Sequence, residues 1–163
     1  MNMACPGCGG SFPPTDQPTH RYIRASPGCW AVYGQVLARE YEGQDYFAAQ
    51  RWTVDAYAAQ HPGVPSAQSV QSVAVHLIGL FLAIDRQLPS DKIIRAIKMA
   101  ADHGNFHWLN PPSKIGTLAV LDILEAPNAA EHHRMVSDWA RSVWASWSEH
   151  HATIRSWANA ALS

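Results

Sequence analysis

The chain has 163 residues, 47% of them apolar, with 12 basic and 13 acidic side chains and a net charge of −1. That length and apolar content suffice for a packed core. The balanced charge and the lack of any basic run argue against nucleic acid or an anionic membrane surface as partner.

All three cysteines fall in the first thirty residues, in the order Cys5-Pro6-Gly7-Cys8-Gly9-Gly10, then His20, then Ser26-Pro27-Gly28-Cys29-Trp30. Zinc takes thiolates and imidazoles in a tetrahedron, and four protein ligands close a structural site. A Cys-x-x-Cys turn offers two sulfurs to one ion. Pro6 pre-sets φ in that turn, Gly7 accepts positive φ, and Gly9 and Gly10 let the backbone curl away behind the second sulfur. Ser26 reads as an N-cap with Pro27 at the first helical position. Cys29 then lies in the first helical turn, where free N–H groups and the helix dipole favour a thiolate. His20 supplies the fourth ligand, so the expected zinc set is Cys5, Cys8, His20 and Cys29. Asp16, His61, a later histidine or a water are the alternatives to His20, and a water would make the site catalytic. A redox Cys-x-x-Cys normally follows a strand in a βαβ context, and none is present. Three bunched cysteines do not make a disulfide framework.

Residues 11–25 contain Pro13, Pro14 and Pro18 and read as an irregular loop. From Ser26 to about Tyr41, Trp30, Tyr33, Val36, Leu37 and Tyr41 follow helical spacing. A second helix runs from about Asp45 to Gln60 and stops at His61-Pro62-Gly63. Arg51 and Asp55 fall in the middle of its apolar face, four apart, so they can pair. They form a buried ion pair, or Asp55 lines a polar pocket with Tyr57 and His61. The third helix, about Ser66 to Gln87, carries the clearest core stripe: Val70, Val73, Leu77, Leu80, Phe81 and Ile84. Beside it runs a row of Ser69, Ser72, His76, Gly79 and Ala83. Small residues there admit a close neighbouring helix or leave a cavity. His76 is then a hydrogen-bonded core residue, or else a ligand or general base, roles that suit an imidazole.

Pro89-Ser90-Asp91 starts a fourth helix that ends near Asp102. Asn105 to Gly116 reads as an ordered loop, and Thr117 to Glu125 as a short helix capped by Thr117. The last element spans about Asn128 to Ala161, with a break near Ser148. Its four tryptophans read as core anchors or as homodimer anchors. His132-His133 and His150-His151 read as surface residues. Met1 to Cys5 show neither the basic nor the apolar region of a signal peptide. The run from Val73 to Ile84 is short for a bilayer. A cytoplasmic protein without a membrane partner is expected.

The quoted residues resemble an uncharacterised bacterial domain family. The shared marks are Cys5 to Gly9 (CPGCG), His20, Ser26 to Ala31 (SPGCWA), Asp55 to Gly63 (a DAYAxQHPG-type segment) and Val75 to Leu77 in a helix. The Pro-Pro after Trp108 and the tryptophan-rich last helix are similar too. The resemblance implies a zinc site and supplies no reaction. It also implies a second polar cluster of Asp55, Tyr57, Gln60, His61 and His76.

Together these patterns predict an all-α protein, an irregular bundle of about five helices with no sheet and an N-terminal zinc knuckle. Residues 1–163 are expected to form one helical domain, with 1–30 as its zinc-binding segment. The functional expectation is a structural-zinc protein that binds a partner protein or a small ligand. The alternative is a hydrolase-like enzyme with a pocket around Asp55, His61 and His76. There His76 or His61 would act as general base and Tyr57 as donor, which requires the side chains to converge within hydrogen-bond reach.

Overall fold

The computed structural model describes residues 1–163. Its first element is a small hairpin: β1 (Met3–Ala4) pairs antiparallel with β2 (Ser11–Phe12). This corrects the expectation of no sheet. Backbone bonds within the turn, Cys5 N–H to Gly10 O at 2.8 Å and Gly9 N–H to Cys5 O at 2.9 Å, close the loop that holds two of the cysteines.

The rest is an irregular helical bundle: α1 (Pro27–Tyr41), α2 (Gln44–Phe47), α3 (Gln50–Gln60), α4 (Ala67–Ile84), α5 (Ser90–His103), α6 (Val120–Leu124), α7 (Ala129–Ser146) and α8 (His151–Leu162). There are eight helices rather than about five, because two long periodic stretches are interrupted. One interruption, at Ala48-Ala49, separates α2 from α3. The other is a 3-10 turn at Ser148–His150, at the break expected near Ser148.

The helix starts follow local chemistry. Ser26 Oγ accepts from Cys29 N–H at 3.1 Å with Pro27 opening α1. Ser66 caps α4 through Ser69 N–H at 3.0 Å, and Asn128 caps α7 through Glu131 N–H at 2.9 Å. Thr117 does not cap α6. Its N–H donates to Ser142 Oγ, and Asp122 instead accepts from Ala119 N–H at 2.8 Å.

At the centre lies α4, which packs against α3, α5, α7 and α8. It is long and apolar enough to cross a bilayer, with a mean hydropathy of 1.6. Here Leu77, Ile78, Leu80, Phe81 and Leu82 are spent inside the bundle instead. The tryptophans of the last helices are core anchors. Trp139 and Trp147 are fully buried, and their indole N–H groups donate to Gln60 Oε1 at 3.0 Å and Ala59 O at 3.1 Å. Both contacts tie α7 to the end of α3.

The small row on α4 is explained by α3. A Cβ on Gly79 would lie 2.3 Å from Asp55 Oδ2, so only glycine lets the carboxylate press against the helix backbone. Gly79→Ala is therefore expected to destabilise the protein by about 1–3 kcal/mol through overpacking. A thermal melt followed by circular dichroism checks this. An unchanged midpoint would mean that α3 and α4 separate freely at this point.

His132 departs from its expected place on the surface. It is fully buried, and its Nε2 lies 2.7 Å from Glu40 Oε2. Glu40 is equally buried and also accepts from Thr53 Oγ1. This polar knot joins α1, α3 and α7.

Candidate metal centre

Four side chains meet where the hairpin turn, the start of α1 and the end of α3 come together. Cys5 and Cys8 come from the turn, Cys29 from the first turn of α1, and His61 from the residue that ends α3. Their ligand atoms all lie within 4.8 Å of one another. Cys8 Sγ is 3.9 Å from Cys29 Sγ, and Cys29 Sγ is 3.4 Å from His61 Nε2. A zinc tetrahedron with its usual bond lengths needs S···S of about 3.8 Å and S···N of about 3.5 Å. These two edges match a zinc tetrahedron, and the full spread of 4.8 Å leaves the set to tighten slightly around an ion.

The surroundings hold each donor in place. Ser26 N–H donates to Cys5 Sγ and Gly10 N–H to Cys8 Sγ, both at 3.4 Å. The Tyr57 hydroxyl lies 3.2 Å from Cys29 Sγ, placed to donate to a thiolate. His61 Nδ1 donates to Tyr57 O at 2.7 Å, which leaves the Nε2 lone pair facing the sulfurs. Such an outer hydrogen bond fixes both tautomer and ring orientation in metal-ligating histidines. Tyr57 stacks between His61 and Tyr33, with ring centroids 4.1 Å and 3.8 Å away. On the other face, a Cβ on Gly7 would lie 2.3 Å from His61 Cδ2, so the bare glycine lets the turn lie against the imidazole. Gly9, at φ 74°, makes the positive-φ bend that closes the knuckle.

Electrostatics distinguish the sulfurs. Hydrogen bonds from Cys29 and then Cys8 hold Cys5 far below the usual thiol range. Its bonds with Cys5 and then Cys8, together with burial, push Cys29 far above it. Cys8 gains from its bond with Cys29, but Cys5 and burial together push it up to about 11. Burial, and then Cys29, raise Tyr57. Ionising all three sulfurs requires a positive ion between them.

His20 is not in this group, so the structure corrects the expected fourth ligand. Its Nδ1 accepts from Tyr22 N–H at 3.3 Å and Ile23 N–H at 3.2 Å. The 11–25 loop folds back on itself at this histidine, and its ring packs against Tyr22 and Trp30. Burial, and then Arg21, lower its pKa, in keeping with a neutral acceptor. Asp16 is exposed and also outside the cluster. His61 takes the position because α3 ends beside Cys29.

The expected pocket around Asp55, His61 and His76 does not form as one site. Tyr57 and His61 belong to the sulfur cluster. Gln60 is a strut whose amide donates to Ile115 O and Leu118 O, both at 2.8 Å. Asp55 is fully buried and turns toward α4. Its Oδ1 accepts from Arg51 Nη2 at 2.6 Å and His76 Nδ1 at 2.8 Å, and its Oδ2 from Arg51 Nε at 3.1 Å. The hydrogen bonds of His61 go to Tyr57 and Cys29, those of His76 to Asp55, and none joins the two groups.

No curated protein and no solved structure matches this chain. A family model does match, over a stretch that contains the whole cluster and the Arg51–Asp55–His76 group. In keeping with the resemblance drawn from CPGCG, SPGCWA and DAYAxQHPG, the chain belongs to the family described as a family of unknown function (DUF5946), whose model matches residues 3–148.

Proposed function

We propose that this chain is a cytoplasmic zinc protein, that the zinc is a structural clamp, and that the clamped bundle serves by binding a partner protein or a small ligand. The observation that carries the reading is the closed donor set. Three thiols and one imidazole surround one point, Cys5, Cys29 and His61 are buried, and the His61 ring is oriented by the Tyr57 carbonyl. Soft thiolates with an imidazole favour zinc over magnesium or calcium, and four protein donors leave no position for a reactive water.

The clamp has clear mechanical work. Ser26 N–H reaches Cys5, and Arg24 N–H donates to His61 O at 3.3 Å. Holding the four ligands together thus draws the 20–26 segment onto the ends of α1 and α3. Elemental analysis of the purified chain tests the reading. One zinc per chain is expected, retained through gel filtration. A strong chelator should remove it and lower the melting temperature together. Purification without stoichiometric metal would refute the clamp.

A further inference from the structure

Outside the sulfur cluster, one group of side chains stands as a small catalytic or binding site would. His76 is anchored at Nδ1 by Asp55, and Arg51 offsets the charge of that carboxylate. Nothing in the protein bonds His76 Nε2, and it is not sealed in the interior. The ring lies at the edge of a hollow of about 420 Å³ that also involves Tyr22, Gln68, Gln71 and Ser72. A second hollow, of about 540 Å³, adjoins it and shares Tyr22 and Gln68. The two form one groove between the 19–25 loop and the first turns of α4. Hollows of this size take small molecules.

The charge in this groove is one-sided. No aspartate or glutamate lines either hollow, although the chain as a whole has one more acid than base. Arg21 and Arg24 line the larger hollow, next to the one that His76 borders; both are exposed and have no carboxylate partner. The only carboxylate near His76 is Asp55, which is buried and already bonded by Arg51. An unpaired pair of guanidiniums, an imidazole with one free nitrogen, and neutral amide and hydroxyl groups between them make a surface for an oxyanion.

We propose that this groove binds a small anionic ligand, a phosphate or carboxylate carried on a polar molecule, between His76 Nε2 and the arginines of the 19–25 loop. The inference rests on the clamp reading in one respect. The loop that carries Arg21 and Arg24 is tied to the sulfur cluster through the Arg24 N–H to His61 O bond. The clamp therefore builds one wall of the groove, and α4 builds the other. His76 is a ligand-contacting residue in this arrangement, and Asp55 is a positioning residue that fixes which nitrogen faces the groove.

The test uses the zinc-loaded full chain, with imidazole nitrogens followed by two-bond 1H–15N NMR. Inorganic phosphate is titrated in one series and succinate in another, which separates the two anion chemistries. A saturating shift of the His76 signals with at least one of them is expected, while those of His103 on α5 stay still. Arg24→Gln, an exposed change that should leave the melting temperature alone, is expected to weaken that binding about tenfold. No saturating shift with either anion overturns the proposal. So does equal binding by Arg24→Gln, or a parallel movement of His103. Zinc is measured on the same samples. Zinc without anion binding removes the groove alone, and anion binding without zinc removes the clamp alone.

Discussion

On the clamp reading, His61→Ala is expected to lose its metal and melt about 6–12 °C below the parent protein, while His20→Ala keeps the metal. The first change removes one of four donors and leaves three thiols, two of them buried, around an open side. Structural zinc contributes on the order of 10 kcal/mol in small zinc-finger peptides. Here only part of that is at stake, because the continuous apolar core of 34 buried residues includes only two of the donors, Cys5 and Cys29. A loss of about 3 kcal/mol or more is the reasonable floor for removing a metal site. At about 2–4 °C per kcal/mol for a chain of this length, the midpoint falls by about 6–12 °C. Cys29→Ala should behave like His61→Ala. His20→Ala removes only an acceptor for two loop N–H groups. Elemental analysis and a thermal melt read both outcomes. If His20→Ala loses zinc while His61→Ala retains it, the assignment of the fourth donor is wrong.

A second large effect is expected in the knot between α1, α3 and α7. Glu40 Oε2 accepts from Thr53 Oγ1 at 2.5 Å and from His132 Nε2 at 2.7 Å. Glu40 Oε1 and His132 Nδ1 are both buried with no partner. His132→Leu should cost about 3–5 kcal/mol, because it leaves a buried carboxylate with a single hydroxyl donor. The double change Glu40→Met with His132→Leu should recover most of that, since apolar side chains of similar volume do not carry the desolvation cost. Denaturant unfolding of the four proteins in the cycle measures the coupling. If His132→Leu costs less than about 1 kcal/mol, in the range of an ordinary surface change, the pair is not holding the three helices together.

The sequence carried the knuckle well because its chemistry is local. Ser26, Pro27 and Cys29 make a helix start within four residues, and Pro6-Gly7 makes a turn within two. The core face of α4 was equally legible, since a period of 3.6 needs no partner to be read. The fourth donor was not. Choosing between His20 and His61 depends on where α3 ends relative to α1, which is a matter of packing. The self-bonding of His20 within its loop leaves no mark on the sequence.

The Glu40–His132 pair was missed for a different reason. The adjacent pair His132-His133 reads as a surface pair, and Glu40 carries no mark of its own in the sequence. The phase of each helix held the correction: Cys29, Tyr33, Val36 and Glu40 share one buried stripe, as do His132, Val136, Trp139 and Val143. The split of the expected catalytic cluster also follows from phase. Asp55 lies under α4, whereas Tyr57 and His61 lie under the knuckle, so neighbours in sequence serve opposite sides of one short helix.

The placement of the four donors has a consequence for how the chain is made. All of them precede Pro62, so the sulfur–imidazole cluster is chemically complete before α4 to α8 have been synthesised. At roughly 5–20 residues per second, the stretch from His61 to Trp139 alone takes about 4–16 s on the ribosome. During it α3 has no α7 to cover it, because Trp139 and Trp147, which close over Gln60 and Ala59, have not yet emerged. A captured ion would pin α1 and α3 in their final relation before the tryptophans arrive. On the clamp reading, the order of translation would make metal capture an early checkpoint of assembly rather than a final seal.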